Sequence, residues 1–291
     1  MPFRNLEGKV FVLGVGAQKA GTTWLTDYLH HHGAFVMSPI KELHFFDQKL
    51  RPDLCADFGR LFEIMLRNAI AKLGSGSDPA ALIEMSHLLD RVRMNNDDRA
   101  YFEYFDRLAT IDRSHVGEIT PSYSLIRADG FRQIRSLFER QNIRLKLIFL
   151  MRDPVRRLLS QLSMDSRERG TPNDADAYRR ALYDARYVER TRYDLTLEAL
   201  DAAFDSDQVY AAFYERLFDQ AAIDGLCRFL EVPPQPADFG RGVNVGDPPL
   251  SLSADAYAMG VECFRSVYDF CRARYGDGVP ETWGRPDVPH G

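Results

Sequence analysis

The chain has 291 residues, of which 45% are hydrophobic and 27% are charged, a composition that excludes disorder and predicts a soluble globular protein. The formal net charge of −5 argues against non-specific coating of nucleic acid, although it permits a local basic site. No apolar run reaches the roughly 18 residues of a membrane span and no secretory signal opens the chain, so we expect a cytoplasmic protein that binds neither membrane nor nucleic acid.

Short apolar runs alternate with amphipathic segments along most of the chain. Five runs predict strands at residues 10–15, 34–37, 115–119, 144–151 and 208–213. The other segments predict helices at 24–32, at 58–109 with a break at 74–79, at 129–140, from Asp153 onwards, on both sides of the last strand, and at 253–275. The stretch TPSYS after the third strand is expected to be a loop.

Strands that alternate with helices favour an α/β fold with a central, mostly parallel sheet flanked by helices on both faces. The roughly 50 helical residues between the second and third strands are too many for a plain crossover. We therefore expect a single domain over residues 1–291, with a helical cap inserted at about 50–113. This cap would lie over the carboxyl edge of the sheet, where α/β proteins bind ligands.

A glycine-containing turn, GAQKAGTT, follows the first strand with the G-x4-G spacing of a phosphate-binding loop. Its glycines let the backbone wrap tightly, so that N–H groups and the next helix N-terminus face an anion. We expect phosphate binding and a P-loop-type, three-layer fold. The candidate residues for binding the phosphorylated ligand are Gln18, Lys19, Ala20, Gly21, Thr22, Thr23 and Trp24.

The position of the lysine distinguishes this loop from that of a kinase or ATPase. Those enzymes place Lys directly after the second glycine, where it works beside magnesium on the β- and γ-phosphates. Here Thr22 occupies that position, and Lys19 lies inside the loop, nearer the first phosphate and the group that leaves it. A P-loop kinase or other NTPase is the alternative interpretation.

A second anion site is predicted at the end of the fourth strand. Arg152 lies at its carboxyl end, and Ser160 lies two turns into the following helix. Arginine offers a forked pair of donors to a phosphate, and serine offers a hydroxyl. Two separate phosphate sites suggest a nucleotide that is phosphorylated at two places.

The segment KELHFF follows the second strand and carries the third set of polar groups. In an extended segment, Glu42 and His44 point to one side, whereas Lys41 points to the other. A carboxylate beside an imidazole, with aromatic rings excluding water, is suited to general-base catalysis. A charged loop closed by a Phe-Phe anchor is the alternative.

These segments together resemble the superfamily of sulfotransferases that use 3′-phosphoadenosine 5′-phosphosulfate (PAPS). KELHFFD is most similar to the carbohydrate branch, the heparan-sulfate-type enzymes and their bacterial relatives. The similar motifs span residues 10–165, and weaker similarity continues through FYERL (213–217) and the C-terminal helix. The residues that carry the resemblance are GAQKAGTTWL (16–25), KELHFFD (41–47), GEITPSYS (117–124) and LMRDPVRRLLSQ (150–161).

The resemblance implies that PAPS donates a sulfuryl group to a hydroxyl or amine of a small-molecule or glycan acceptor. Lys19 would contact the bridging oxygen and stabilise the leaving phosphate, and the loop from Gly21 to Thr23 would complete that cradle. Arg152 and Ser160 would hold the 3′-phosphate. The late 3′-phosphate loop is matched poorly; its candidates are Arg241 and Asn244.

The resemblance also implies a catalytic role for Glu42 as the general base, with His44 supporting it. Lys41 and Tyr123 would line the acceptor site with them. A nucleotide-binding scaffold without catalysis is a further alternative, but binding alone would not need both Lys19 and Glu42. The sequence carries no signal for the oligomeric state.

Neither the cysteines nor the histidines are spaced for a metal. Three consecutive residues, His30, His31 and His32, cannot face one ion from a helix, and we expect a helix end near solvent. The cysteines form no CxxC pair, so we expect buried thiols rather than a zinc or disulfide framework. They are Cys55, Cys227, Cys263 and Cys271.

Overall fold

The structure, a computed structural model, describes residues 3–72, 78–240 and 250–286. Its centre is a five-stranded sheet in the order β2-β3-β1-β4-β5, in which every neighbouring pair is parallel. Helices flank the sheet, which confirms the predicted α/β fold of the P-loop type. The strands are β1 (Val10–Gly16), β2 (Phe35–Met37), β3 (His115–Ile119), β4 (Arg144–Met151) and β5 (Val209–Phe213).

Fourteen α-helices lie within the described ranges, together with short 3₁₀ helices. The predicted TPSYS loop is in fact part of a 3₁₀ helix, Pro121–Leu125, and the last predicted helix is divided at Phe264. The α-helices are α1 (Thr22–His31), α2 (Phe46–Leu50), α3 (Phe58–Ala71), α4 (Pro79–Arg93), α5 (Arg99–Leu108), α6 (Ala128–Arg140), α7 (Pro154–Arg169), α8 (Ala175–Ala181), α9 (Ala185–Val188), α10 (Tyr193–Asp201), α11 (Tyr214–Leu217), α12 (Gln220–Phe229), α13 (Ala254–Cys263) and α14 (Arg265–Tyr275).

Burial of their apolar side chains stabilises the central strands. Every residue of β1 and β3 is buried, and β4 is buried from Leu147 onwards, as expected of parallel strands covered by helices. The Phe11 ring in β1 packs edge-on against Phe105 of α5 at 4.7 Å and lies 4.8 Å from Phe138 of α6. Each such buried ring contributes about 1.5–3 kcal/mol, which fixes these helices on the sheet.

The helices between β2 and β3 pack in two different places. Helix α5 packs in the core beside β1 through Phe105. Helices α3 and α4 pack against each other and reach the segment after β2, where Phe58 stacks on the His44 ring at 3.4 Å and Arg91 donates to the His44 carbonyl at 3.0 Å. The α3–α4 pair therefore contacts the carboxyl edge of the sheet, while α5 belongs to the core.

The expected burial of the four cysteines is only partly correct. All four are free thiols, but only Cys227 and Cys271 are buried, whereas Cys55 is half-buried and Cys263 is exposed. Cys263 lies at the end of α13, where a helix terminus reaches the surface. The thiols therefore do not share one environment.

The three consecutive histidines differ in exposure. His30 and His31 are exposed, but His32 is buried and its Nε2 lies 3.0 Å from the carbonyl oxygen of Pro233. Among the described residues, no group of three or more His, Cys, Asp or Glu side chains is arranged to hold a metal ion. Over the same ranges, no helix has the length and apolar character needed to cross a membrane.

Candidate active site

The loop between β1 and α1 wraps tightly over the ends of neighbouring strands. Gly16 (φ 145°) and Gly21 (φ 85°) adopt conformations that favour glycine. A Cβ on Gly16 would lie 2.8 Å from the Pro121 carbonyl oxygen, and one on Gly21 would lie 2.9 Å from side chains that follow β5. The Ala17 N–H donates to the Leu150 carbonyl at 2.6 Å, which ties the loop to β4.

Helix α1 begins at Thr22, directly after Gly21. Because glycine has no side chain, the N–H groups of the first turn receive no side-chain cap, and the N-terminus of this ten-residue helix favours an anion. Ala20 and Thr22 are buried, and Thr23 is half-buried. The amides and hydroxyls of this turn are suited to bind phosphate oxygens.

Lys19 brings a cation into the loop in a left-handed conformation (φ 70°). Burial lowers the pKa of its ammonium group, and the nearby charges of Arg167 and Arg152 lower it further, while Glu168 acts in the opposite direction. The side-chain oxygen of Gln18 is buried without a hydrogen-bond partner. Crowded cations are relieved by an anion, so this loop is electrostatically suited to a phosphorylated ligand.

Arg152 connects the two predicted anion sites. It follows β4, and its guanidinium group donates to the Lys19 carbonyl oxygen at 3.1 Å and lies 4.5 Å from the centre of the Tyr214 ring. Its own carbonyl oxygen accepts from the Tyr193 hydroxyl at 2.9 Å. Ser160 is half-buried on α7, the helix that begins immediately beyond Arg152.

The segment after β2 forms a chain of three titratable groups. The Oε2 atom of Glu42 lies 3.4 Å from Nε2 of His44, and Nδ1 of His44 lies 2.7 Å from Oδ2 of Asp47. The Ser122 hydroxyl donates to the same Asp47 oxygen. The Phe58 ring covers the imidazole at 3.4 Å. The expected contact between Glu42 and His44 is present, although His44 itself is not extended (φ 49°).

The two carboxylates of this chain have opposite environments. Burial raises the pKa of Glu42, although the charges of His44 and Lys41 oppose this rise. Burial would also raise the pKa of Asp47, but hydrogen bonds with His44 and Ser122 outweigh it and the pKa is lowered. Asp47 therefore stays ionised and holds the imidazole, while Glu42 has the higher proton affinity expected of a base.

Lys41 joins the two halves of the site. Its exposed side chain reaches the phosphate loop, where Nζ donates to the Thr23 hydroxyl. Because Glu42 is the next residue, this contact places the carboxylate segment beside the start of α1. The phosphate loop and the Glu42–His44–Asp47 chain thus form one site at the carboxyl edge of the sheet.

Two of the predicted site residues are buried rather than facing a cleft. Tyr123 is fully buried; its hydroxyl donates to Glu118 at 2.8 Å and accepts from the Phe45 N–H at 3.1 Å. The structure therefore places it beneath the KELHFF segment and not where an acceptor could touch it. Trp24 is 6% exposed and its ring stacks on that of Phe239 at 5.7 Å. The candidates Arg241 and Asn244 lie outside the described residues.

Several residues of the site were not identified from the sequence. Asp47 stands three residues after His44, a spacing that was a usable signal for a paired carboxylate. Ser122 and Arg91 contact the same segment from positions distant in sequence, and Glu118 reaches it through the Tyr123 hydroxyl. Arg190 has a buried Nε without a hydrogen-bond partner, and its charge lowers the pKa of Glu42. No local pattern marks these distant residues.

One family model matches most of the chain. The sequence model described as "Sulfotransferase family" matches residues 10–236. A sulfotransferase from Alicyclobacillus acidocaldarius has a similar structure, with a TM-score of 0.60 and 20% identity over 96% of this chain and 97% of that one. The sulfotransferase domain from the curacin biosynthetic pathway has a TM-score of 0.46 and 16% identity over 88% of this chain and 82% of that one.

The sulfotransferase STF9 from Mycobacterium avium gives a TM-score of 0.44 and 14% identity over 91% of this chain and 76% of that one. No curated protein sequence matches the chain. The structural likenesses concern the fold, whereas the family match covers most of the chain and includes β1, the phosphate loop, the Glu42 segment and Arg152. This chain belongs to the sulfotransferase family.

Proposed function

We propose that this sulfotransferase moves a sulfuryl group from PAPS to a hydroxyl or amine of a small-molecule or glycan acceptor. One observation carries the proposal: the hydrogen bond from Lys41 to Thr23 joins the phosphate loop to the Glu42 segment. A donor held at the start of α1 and an acceptor beside Glu42 would therefore meet. That juxtaposition is what transfer between two bound molecules requires.

The residues of the loop fit an anionic donor of this kind. Lys19 and the amides of the first turn of α1 would hold the phosphosulfate end, and Arg152 and Ser160 would hold the 3′-phosphate. One observation supports the fit: other cations crowd the Lys19 ammonium group, and a bound anion would relieve that repulsion. When bound, PAPS supplies a sulfuryl group on a good leaving group.

Glu42 would act as the general base. Its carboxylate would take the proton that the acceptor oxygen loses as this oxygen bonds to sulfur. Lys19 would stabilise the electron pair left on the bridging oxygen when the bond from sulfur to adenosine 3′,5′-bisphosphate breaks. Proton transfer to a positioned base typically contributes about 10²–10⁴-fold to the rate.

His44 would orient this base rather than react itself. Its Nδ1 is held by Asp47 at 2.7 Å, so Nε2 faces the Glu42 carboxylate at 3.4 Å. An imidazole fixed at one nitrogen presents the other in a defined direction. If Glu42 is removed, this arrangement leaves His44 as the next candidate for the general base.

A mass-spectrometric screen tests the proposal. The purified protein is incubated with PAPS and a panel of alcohols, phenols, amines and glycans, in the presence of EDTA. We expect one acceptor class to gain a sulfo group while an equal amount of adenosine 3′,5′-bisphosphate forms. The Glu42→Gln variant should not form this product, whereas the exposed-residue control Glu7→Gln should. A parallel incubation replaces PAPS and EDTA by ATP and Mg²⁺. Phosphorylation of an acceptor there, with no sulfo product from PAPS, would instead establish the kinase alternative.

A further inference from the structure

Residues Leu43 to Phe45 carry His44 between β2 and α2, outside any strand or helix. Their backbone groups therefore have no ladder of regular hydrogen bonds, and His44 has a positive φ of 49°. Buried backbone groups without regular partners need others. The structure supplies these partners from distant residues: Arg91 binds the carbonyl groups, and two hydroxyls that are held by Glu118 bind the N–H groups.

Glu118 holds the N–H edge of the segment through two hydroxyl relays. The Leu43 N–H donates to the Thr120 hydroxyl at 3.1 Å, which donates to Glu118 Oε2 at 2.6 Å. The Phe45 N–H donates to the Tyr123 hydroxyl at 3.1 Å, which donates to Glu118 Oε1 at 2.8 Å. A hydroxyl has one proton, so each relay needs an acceptor at its far end, and the Glu118 carboxyl group supplies both.

Glu118 itself lies on β3 and is 2% exposed. The hydroxyl of Tyr101 gives it a third donor at 3.0 Å. When Glu118 is protonated, its O–H can turn to Tyr101, and both relays keep their acceptor lone pairs. The relays to the KELHFF backbone therefore do not depend on the charge of Glu118.

Arg91 holds the carbonyl edge of the same segment. It comes from α4 and is 1% exposed. Its Nε donates to the Leu43 carbonyl, and one terminal nitrogen donates to the His44 carbonyl at 3.0 Å and to Gln48 Oε1 at 3.0 Å. The other terminal nitrogen donates to Asn95 at 2.7 Å. The fork of an arginine fits two adjacent carbonyls in a way that a lysine cannot.

We propose that Arg91 and Glu118 are positioning residues that hold residues 43–45 from both edges and so keep the His44 imidazole between Glu42 and Asp47. Neither side chain touches the reacting atoms. The α3–α4 pair thereby acts on the site through Arg91, in addition to covering it. The catalytic consequence rests on the proposed function, but the positioning of His44 does not.

The test uses variants that remove one hydrogen-bonding group at a time. Arg91→Lys keeps the charge and removes the fork, and Tyr123→Phe removes one relay. Their matched controls are Arg93→Lys, an exposed arginine on the same helix, and Tyr178→Phe, a buried tyrosine whose hydroxyl has no hydrogen-bond partner. Circular dichroism and thermal unfolding serve as the check on folding, and calorimetry measures the binding of adenosine 3′,5′-bisphosphate.

Two readouts decide the outcome. In protein labelled with ¹⁵N-histidine, the Nδ1 proton shared by His44 and Asp47 should give a downfield resonance, assigned by its loss in His44→Gln. Arg91→Lys and Tyr123→Phe should shift or broaden this resonance and lower kcat about tenfold to a hundredfold, the effect of a displacement of about 1 Å. Nucleotide binding should change little, because the hydrogen bonds of Arg91 and of the Tyr123 hydroxyl go to other residues than those of the phosphate loop.

The proposal would be overturned if Arg91→Lys and Tyr123→Phe both had the same His44 resonance and the same kcat as their control variants. A loss of nucleotide binding in step with kcat would overturn it as well, because that pattern indicates general destabilisation. The resonance needs neither donor nor acceptor. If the protein transfers no sulfuryl group at all, the proposed function fails, and the His44 resonance still decides whether Arg91 and Glu118 position the imidazole.

Discussion

The guanidinium group of Arg152 donates a hydrogen bond to the carbonyl oxygen of Lys19 at 3.1 Å. This contact joins the residue that follows β4 to the middle of the loop that follows β1. It uses one terminal nitrogen of the guanidinium group and leaves other N–H groups of the arginine fork for a ligand. Lys19 and Arg152, one residue from each of the two anion sites that the sequence predicts, are therefore in contact. The proposed donor, a single nucleotide with two phosphorylated positions, would need both residues.

Replacement of Arg152 tests that arrangement. Arg152→Ala should lower the affinity for adenosine 3′,5′-bisphosphate about tenfold to a hundredfold, because one charge-assisted contact contributes about 1.5–3 kcal/mol. The affinity for 5′-AMP, which lacks the 3′-phosphate, should change little. Calorimetry with both nucleotides measures the difference, and Arg132→Ala, at an exposed arginine on α6, is the control. Equal losses for both nucleotides would refute a 3′-phosphate contact.

Lys19 should contribute to turnover more than to binding. The bridging oxygen gains charge mainly in the transition state, so Lys19→Ala should lower kcat about 10²–10³-fold while changing nucleotide affinity much less. A sulfuryl group carries less negative charge than a terminal phosphoryl group, and activity should therefore persist in EDTA.

Steady-state kinetics on the Lys19→Ala variant measures kcat, and calorimetry on the same preparation measures the nucleotide affinity. Lys72→Ala, at an exposed lysine at the end of α3, shows the effect of losing a lysine elsewhere. If kcat and affinity fall by the same factor, Lys19 acts only in binding, and a strict magnesium requirement would favour the kinase alternative.

The fold and half of the site could be predicted from the sequence because they depend on local patterns. The apolar runs of β1, β3 and β4 mark buried strands, and parallel strands bring their carboxyl ends to one edge. Lys19, Glu42 and Arg152 come shortly after the ends of β1, β2 and β4, so their approach could be foreseen. The contact between Glu42 and His44 could also be foreseen, because the two residues are only two positions apart.

The supporting residues could not be predicted, because their contacts are formed between distant parts of the chain. Arg91 lies 48 positions from Leu43, and Tyr123 lies 78 positions from Phe45. Nothing in the local sequence around Arg91 distinguishes it from an exposed helical arginine. The motif GEITPSYS led us to expect Tyr123 at the acceptor site, but a sequence motif does not show where a side chain points. Only the packing of the 3₁₀ helix Pro121–Leu125 beneath the segment decides that its hydroxyl is buried.

Replacement of Glu42 and of Asp47 distinguishes the base from a residue that orients its neighbour His44. Glu42→Gln keeps the shape, so binding of adenosine 3′,5′-bisphosphate should be nearly unchanged, while kcat falls about 10²–10⁴-fold. Asp47→Asn should lower kcat less, since Asp47 acts only through the orientation of His44. Kinetics of both variants, with Glu7→Gln as control, test this order. Turnover of Glu42→Gln within about threefold of wild type, far below the effect expected of a base, would leave His44 as the base.

The pH dependence of turnover should show the raised pKa of Glu42. A base works when ionised, so kcat should rise with pH through a limb that lies above the ordinary range of a glutamate. The Lys41 charge lowers the pKa of Glu42, and Lys41→Met should therefore move the limb to higher pH. Lys49→Met removes a lysine paired with Asp98 and should leave it in place. A limb that moves to lower pH in Lys41→Met would contradict the assignment.

The stability of the protein should depend on pH through Glu118. Burial raises the pKa of this carboxyl group from 4.5 to about 7, although hydrogen bonds from Thr120, Tyr123 and Tyr101 oppose the rise. The folded state therefore holds a proton that the unfolded chain releases near pH 4.5, and the resulting stabilisation is full below that pH and lost as the pH rises through about 7.

Each pKa unit corresponds to about 1.4 kcal/mol, so the change over this interval is on the order of a few kcal/mol. Glu118→Gln cannot titrate. It should be less stable than wild type at pH 5, because its amide nitrogen leaves one hydroxyl relay without an acceptor. Its deficit should shrink between pH 5 and pH 8, as the wild-type protein alone loses the contribution of the bound proton. Urea unfolding of both proteins across this range measures the difference in the free energy of unfolding. Parallel profiles would show that Glu118 does not titrate in this interval.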